Sequence, residues 1–165
     1  MSRRCFSDKP ITGPAITIDG GEAHHLLHVL RLSPGDGVTL FDGEGAQYDA
    51  EVFSCGRSTV ELHVGEAHAV DRELPQLLTL ACPLPKGDRQ RWIVEKAVEL
   101  GVTRLIPLQT DRSGSGGGVK LKRYVIEASK QCGRNRLMRI GPQLSWSNWL
   151  QFGSSDESGG DQKSR

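Results

Sequence analysis

The chain has 165 residues with 21 Lys and Arg against 20 Asp and Glu, a formal net charge of +1 that excludes a protein held to nucleic acid by bulk charge alone. Apolar residues at 36%, aromatics at 5% and 20 glycines leave room for one ordinary domain or two small ones with sizeable loops. No apolar run approaches the roughly 20 residues of a membrane-spanning helix, and Cys5, Cys55, Cys82 and Cys132 stand singly, without zinc-knuckle spacing or a secretory signal, which predicts a reduced, cytoplasmic setting.

The first seventy residues read as short strands. Val60 to Val64 alternates with period two, and Val38 to Leu40 and Gln47 to Phe53 add strand-like runs punctuated by Gly35, Gly37, Gly43, Gly45 and Gly56. These predict a small barrel over residues 1–71, interrupted by one helix from Glu22 to Leu30 that Pro34-Gly35 closes off. His24 and His28 on that helix have the i, i+4 spacing that can bind zinc, but no third ligand stands out and no metal is expected. The charged connector Asp71 to Pro75 marks a boundary.

From residue 76 to 152 the pattern changes to strand alternating with helix: Leu77 to Cys82, a helix from Gln90 to Leu100 stopped by Gly101, then Leu105 to Leu108. That order predicts a parallel sheet with crossovers. An amphipathic helix over Leu121 to Lys130, a strand over Met138 to Ile140 and a short segment from Trp146 to Phe152 follow, and residues 153–165, without one apolar side chain, are expected to be a disordered tail. Ser113 to Gly118 is a flexible loop; it lacks the Gly-Lys-Ser/Thr ending of a phosphate cradle.

Chemistry-bearing residues gather at the exits of the strands. Lys86 and Arg89 follow the first parallel strand, with Asp88 suited to cap the next helix, and Gln109 and Arg112 follow the second; ligands bind at such strand ends. Gln131-Cys132-Gly133-Arg134-Asn135-Arg136 closes the amphipathic helix, with Gly133 at the left-handed stop and two guanidinium forks just beyond it. The same residues also suit plain capping, their cations complementing the helix dipole. Between Lys120 and Arg139 seven cations face only Glu127, which is either a phosphate-binding patch or a solvated face. Cys132 beside the arginines has no evident partner base, so a packing thiol is its default role.

Lys86-Gly87-Asp88, then Glu95 to Val102, Asp111-Arg112-Ser113 and Gln131 to Arg136, in that order, together with His25 to Asp36 and Phe41-Asp42-Gly43, resemble the 16S ribosomal RNA uridine-N3 methyltransferase family of the RsmE type, over about residues 3 to 150. The resemblance implies a mixed α+β and α/β fold: an N-terminal PUA-like RNA-binding β-barrel and an incomplete α/β-knot (SPOUT, trefoil-knot) methyltransferase domain. It implies a cytoplasmic homodimeric enzyme that uses S-adenosylmethionine to methylate N3 of a uridine in 16S ribosomal RNA of the small subunit. Carried onto this sequence, Arg112 and Arg134 are the catalytic candidates, and Arg31, Lys86, Arg89, Gln131, Asn135 and Arg136 the RNA-binding ones. Cationic groups there would stabilise the anion formed when N3 loses its proton.

The sequence departs from that family in two places. The stretch between Arg112 and Leu121 is short and glycine-rich, and the cofactor loops of the family, Gly-Pro-Glu-Gly-Gly and a later Leu-Arg-x-Glu-Thr-Ala, would fall beyond Arg165, so no cofactor residue is assigned. Gly141-Pro142-Gln143 echoes the first only superficially. A non-catalytic RNA-binding module is therefore the competing expectation, and a chain completed by a partner polypeptide is a third.

Overall fold

A computed structural model describes residues 3–111, 113 and 118–156, with the backbone alone over 152–156. The chain divides into two compact units, one formed by residues 1–73 with 126–137 and the other by 74–125 with 138–165. The segment 126–137 thus belongs with the barrel residues, although it lies inside the stretch, 76–152, whose sequence pattern alternates strand with helix.

The first unit is a curled five-stranded sheet in the order β1-β3-β4-β5-β2: Arg4–Phe6, Gly37–Phe41, Ala46–Cys55, Val60–Ala69 and Ala15–Ile18. β1 runs parallel to β3 and the other pairings are antiparallel. Alternation explains the buried side: Val38 and Leu40, Ala50 and Val52, Val60 and Leu62 turn inward beneath Leu26 and Leu32. Each such Val or Leu contributes about 1.5–3 kcal/mol through burial. Register shifts at Tyr48/Ala50 and Val52/Ser54 bend β4, the means by which a sheet curls.

The sequence pattern finds β3, β4 and β5 and misses β1 and β2. β1 is three residues long and all of it is buried, so it shows no alternation to read. The expected helix from Glu22 to Leu30 resolves into α1, Gly20–His24, continued by a π-helical turn over His25–Val29.

The second unit holds the parallel pair β6, Thr79–Pro83, and β7, Arg104–Gln109, joined through α2, Asp88–Glu99. Val94, Ala97 and Val98 of α2 are buried, as are Leu105, Ile106 and Leu108 of β7. Leu100, the last residue of the helix expected from Gln90 to Leu100, is 70% exposed because the helix has already ended there. Gly101 carries φ +84°, donating to Val98 O while Val102 donates to Ala97 O, which closes the helix end in a left-handed turn. The far edge of β7 is covered in two pieces. β8, Arg139–Ile140, pairs with its start, and β9, Leu144–Ser145, pairs with its end. Gly141 to Gln143 is the break between them, so Gly141-Pro142-Gln143 serves as a strand interruption.

α3 spans Gly118–Cys132, a full-length helix despite the short glycine-rich approach. α4, Trp146–Asp156, runs into the stretch expected to be a disordered tail, and 157–165 lie outside the described residues. Among the described residues no helix is long and apolar enough to cross a membrane.

Candidate nucleic-acid interface

α3 ends as its sequence demands. Gly133 has φ +82° and donates to Ser129 O at 2.9 Å, which terminates the helix and turns the next three residues back along the sheet of the first unit. Leu137 then donates to Gly43 O at 3.2 Å, and Arg136 forms an isolated bridge with Glu44.

The turn does not leave Arg134 and Asn135 facing outward. They are 4% and 2% exposed. Arg134 forms an ion pair with Glu73, and its Nε donates to Glu73 Oε1 at 3.0 Å. The Asn135 amide accepts from Arg4 Nη2 at 2.6 Å and donates to Gln47 Oε1 at 3.3 Å and Val70 O at 3.1 Å. Arg4 also donates to Gln47 Oε1 at 3.2 Å and stacks over the Phe41 ring, 4.6 Å from its centroid. Burial, aided by the nearby Arg72 charge, lowers the Arg4 pKa below the ordinary guanidinium value. Arg72 Nη1 donates to Gly133 O at 2.8 Å. Deeper in the unit, Lys130, 6% exposed, donates to both carboxylate oxygens of Glu22 at 3.0 and 3.1 Å. Glu22 also accepts from Phe6 N–H at 3.3 Å.

These contacts latch residues 130–137 onto the sheet. They also divide the expected cationic patch. Within the first unit Lys130 and Arg134 are inward and paired, while Gln131 and Arg136 remain exposed. Arg31, also exposed, sits at φ +53° just after the π-turn. Beside Arg136 lies a cavity of about 310 Å³ lined by Gly45, Ala46, Ala69, Val70, Arg72 and Asn135 among others.

In the second unit Lys86 is exposed in the connection from β6 to α2, Arg89 in the first turn of α2 and Gln109 at the end of β7, close to where strand-end logic places them. Asp88 is not the cap. Gly87, at φ +71°, takes that position without a side-chain bond, and Asp88 becomes the first helical residue, where a carboxylate complements the helix dipole. Arg112 lies outside the described residues. Thr110 N–H donates to Ser113 Oγ at 2.8 Å, tightening the exit of β7. Among the described residues of these strand exits Lys86, Arg89 and Gln109 are exposed, whereas Leu84 is buried.

His24 and His28 do approach each other, with ring centroids 4.6 Å apart, but among the described residues no group of three His, Cys, Asp or Glu side chains is placed to hold a metal. All four thiols are free. Burial pushes the pKa of Cys5 and Cys82 up, whereas Cys55 and Cys132 are exposed. Iodoacetamide on the native protein should therefore alkylate Cys55 and Cys132 well before Cys5, read by mass spectrometry of tryptic peptides. Equal labelling of Cys5 would mean that β1 opens readily.

The fold thus comprises a curled-sheet unit that bears exposed Arg31 and Arg136 and a unit built on parallel strands. A family model for an RNA methyltransferase domain matches residues 72–158, and one for an RNA methyltransferase PUA domain matches residues 18–64. The chain belongs to the RNA methyltransferase family with a PUA domain. Ribosomal RNA small subunit methyltransferase E of Bacillus subtilis is 33% identical over 146 residues, 84% of this chain and 57% of that protein. Its Synechocystis counterpart is 30% identical over 153 residues, 90% of this chain and 50% of that protein. A crystal structure of ribosomal RNA small subunit methyltransferase E from Neisseria gonorrhoeae bound to S-adenosyl methionine superposes with a TM-score of 0.82 at 26% identity, covering 91% of this chain and 65% of that one. The chain spans about half the length of the curated relatives it matches.

Proposed function

We propose that this chain is the RNA-engaging part of an S-adenosylmethionine-dependent methyltransferase acting on N3 of a uridine in 16S ribosomal RNA, within the small subunit. The observation that carries the reading is the match of both domain models in their expected order, together with exposed Arg31, Gln131 and Arg136 on the barrel unit and exposed Lys86 and Arg89 on the other. Their task is to bind and orient the RNA phosphates and the target base. Arg134 and Asn135 act on RNA through the segment they hold, and Arg112 remains the candidate for stabilising the uracil anion. When bound, the cofactor supplies the methyl group. A cytoplasmic homodimer is part of this proposal; exposed Trp92 and Trp146 in the second unit support a partnered surface.

A second reading is a non-catalytic RNA-binding module. Incubation with unmodified small-subunit particles and radiolabelled S-adenosylmethionine distinguishes the two. Binding of the particle with label placed on a uridine as N3-methyluridine is the outcome expected of the methyl-transfer reading, and binding without label is the outcome expected of the module. Absence of label, or label at another atom, sinks the methyl-transfer reading.

A further inference from the structure

The barrel unit carries a second feature that the latch and the strand exits do not use. A groove of about 440 Å³, within the range of about 300–1,000 Å³ typical of small-ligand sites, lies between the α1 and π-turn region and the turn that joins β4 to β5. His24, Leu27 and His28 line one side and Arg57, Ser58 and Thr59 the other. The turn is closed by Gly56 N–H donating to Thr59 O at 2.8 Å, which leaves Arg57 and Ser58 exposed at its tip.

Three observations make this more than a surface dent. The imidazoles of His24 and His28 stand 4.6 Å apart with their planes at 51°, presenting flat, partly polar faces. Among the described residues the side chains of His24, His28, Arg57 and Ser58 have no hydrogen-bond or ion-pair partner, so their polar capacity is available to a ligand. The backbone beneath is unusual as well. Leu30 donates to His25 O at 2.9 Å across a widened π-turn, and Arg31 follows at φ +53°, local conformations that recur at functional sites. The acidic neighbour, Asp19, is ion-paired with Lys9 at 3.2 Å, which offsets its charge at the rim.

We propose that this groove is a nucleotide subsite for single-stranded RNA, with the His24 and His28 rings stacking one base against Leu27 and Arg57 with the Ser58 hydroxyl taking the adjacent phosphate. The chemistry follows from the donor set. A planar pair with an apolar floor suits a base of any identity, and a fork of donors at an exposed turn suits phosphate oxygens. Stacking of this kind selects an unpaired nucleotide, since bases must leave a helix to be stacked in this way. The proposal rests on the RNA reading above and adds to it a contact remote in sequence from Arg136.

The test uses a fluorescently labelled single-stranded fragment of small-subunit ribosomal RNA, titrated by anisotropy at several salt concentrations. His24→Ala with His28→Ala should weaken binding about fivefold or more. Arg57→Gln should lower the slope of log affinity against log salt by about 0.7, the loss of one phosphate contact on a single strand. In the wild-type protein the imidazole proton resonances of His24 and His28 should shift on adding the fragment. If the wild-type protein binds the fragment while both variants match it and the imidazole signals stay in place, the groove is not an RNA subsite, although the barrel still is an RNA binder. If the wild-type protein does not bind the fragment, both readings fall.

Discussion

Replacing Glu73 by alanine is expected to lower the stability of the barrel unit by about 3–5 kcal/mol. Arg134 is 4% exposed, and its guanidinium would lose the carboxylate that it grips through both Nε and Nη2. A guanidinium that has lost this carboxylate either stays desolvated or drags the 130–137 segment toward water. The pair need not add much net stability over an apolar pair of the same shape, because desolvating both charges offsets most of their attraction. The Glu73→Leu, Arg134→Met double variant should therefore recover a large part of what the single change loses. Urea unfolding followed by far-UV circular dichroism reads both. A loss below about 1 kcal/mol for Glu73→Ala would place Arg134 in the class of solvated surface pairs and return it to the set of residues available to RNA.

How far the sequence could reveal this depended on whether the signal was local. Gly133 and Gly101 were legible because a left-handed helix stop is written in one residue and its neighbours, and both adopt it. The strand β5 was legible through period-two alternation, β3 and β4 as strand-like runs punctuated by glycines, and α2 through the stop at Gly101. The latch was not. Its partners lie far apart in the chain: Arg4 and Asn135 are separated by 131 positions, Glu73 and Arg134 by 61. Nothing in Arg4 or Gln47 distinguishes it from any surface polar residue until the fold brings them together. Glu73 was visible as one charge in the connector Asp71 to Pro75, and composition alone gave it a linker's role. The arginines after Gly133 were correctly placed beyond a helix stop, but a stop fixes where the backbone turns and leaves open which way its side chains face. The π-turn was hidden for a related reason: Leu26, Leu27 and Leu30 repeat at helical spacing, which an α-helix and a single widened turn satisfy equally well.

The latch also makes a prediction about RNA binding that separates holding from touching. Asn135→Ala removes the acceptor for Arg4 Nη2 and the donor to Gln47 Oε1 and Val70 O. One of those bonds involves a charged group and is buried, and the other two are partly buried, so the unit should lose about 2–3 kcal/mol. Hydrogen exchange at Gly133 to Leu137 should accelerate more than exchange in β4, because the segment detaches before the sheet opens. Affinity for a small-subunit RNA fragment should fall, since Arg136 is then presented from a mobile backbone. The salt slope should stay near the wild-type value, because no cation has been removed. Arg136→Ala, on an exposed side chain, should do the opposite: stability unchanged within about 0.5 kcal/mol, and the salt slope reduced by about 0.7–0.9 for one lost phosphate contact. The two variants thus yield a stability loss with constant slope and a slope loss with constant stability. Should Asn135→Ala reduce the slope as Arg136→Ala does, with no faster exchange across 133–137, the buried amide would be reaching the RNA itself, and the segment would be a contact surface along its whole length.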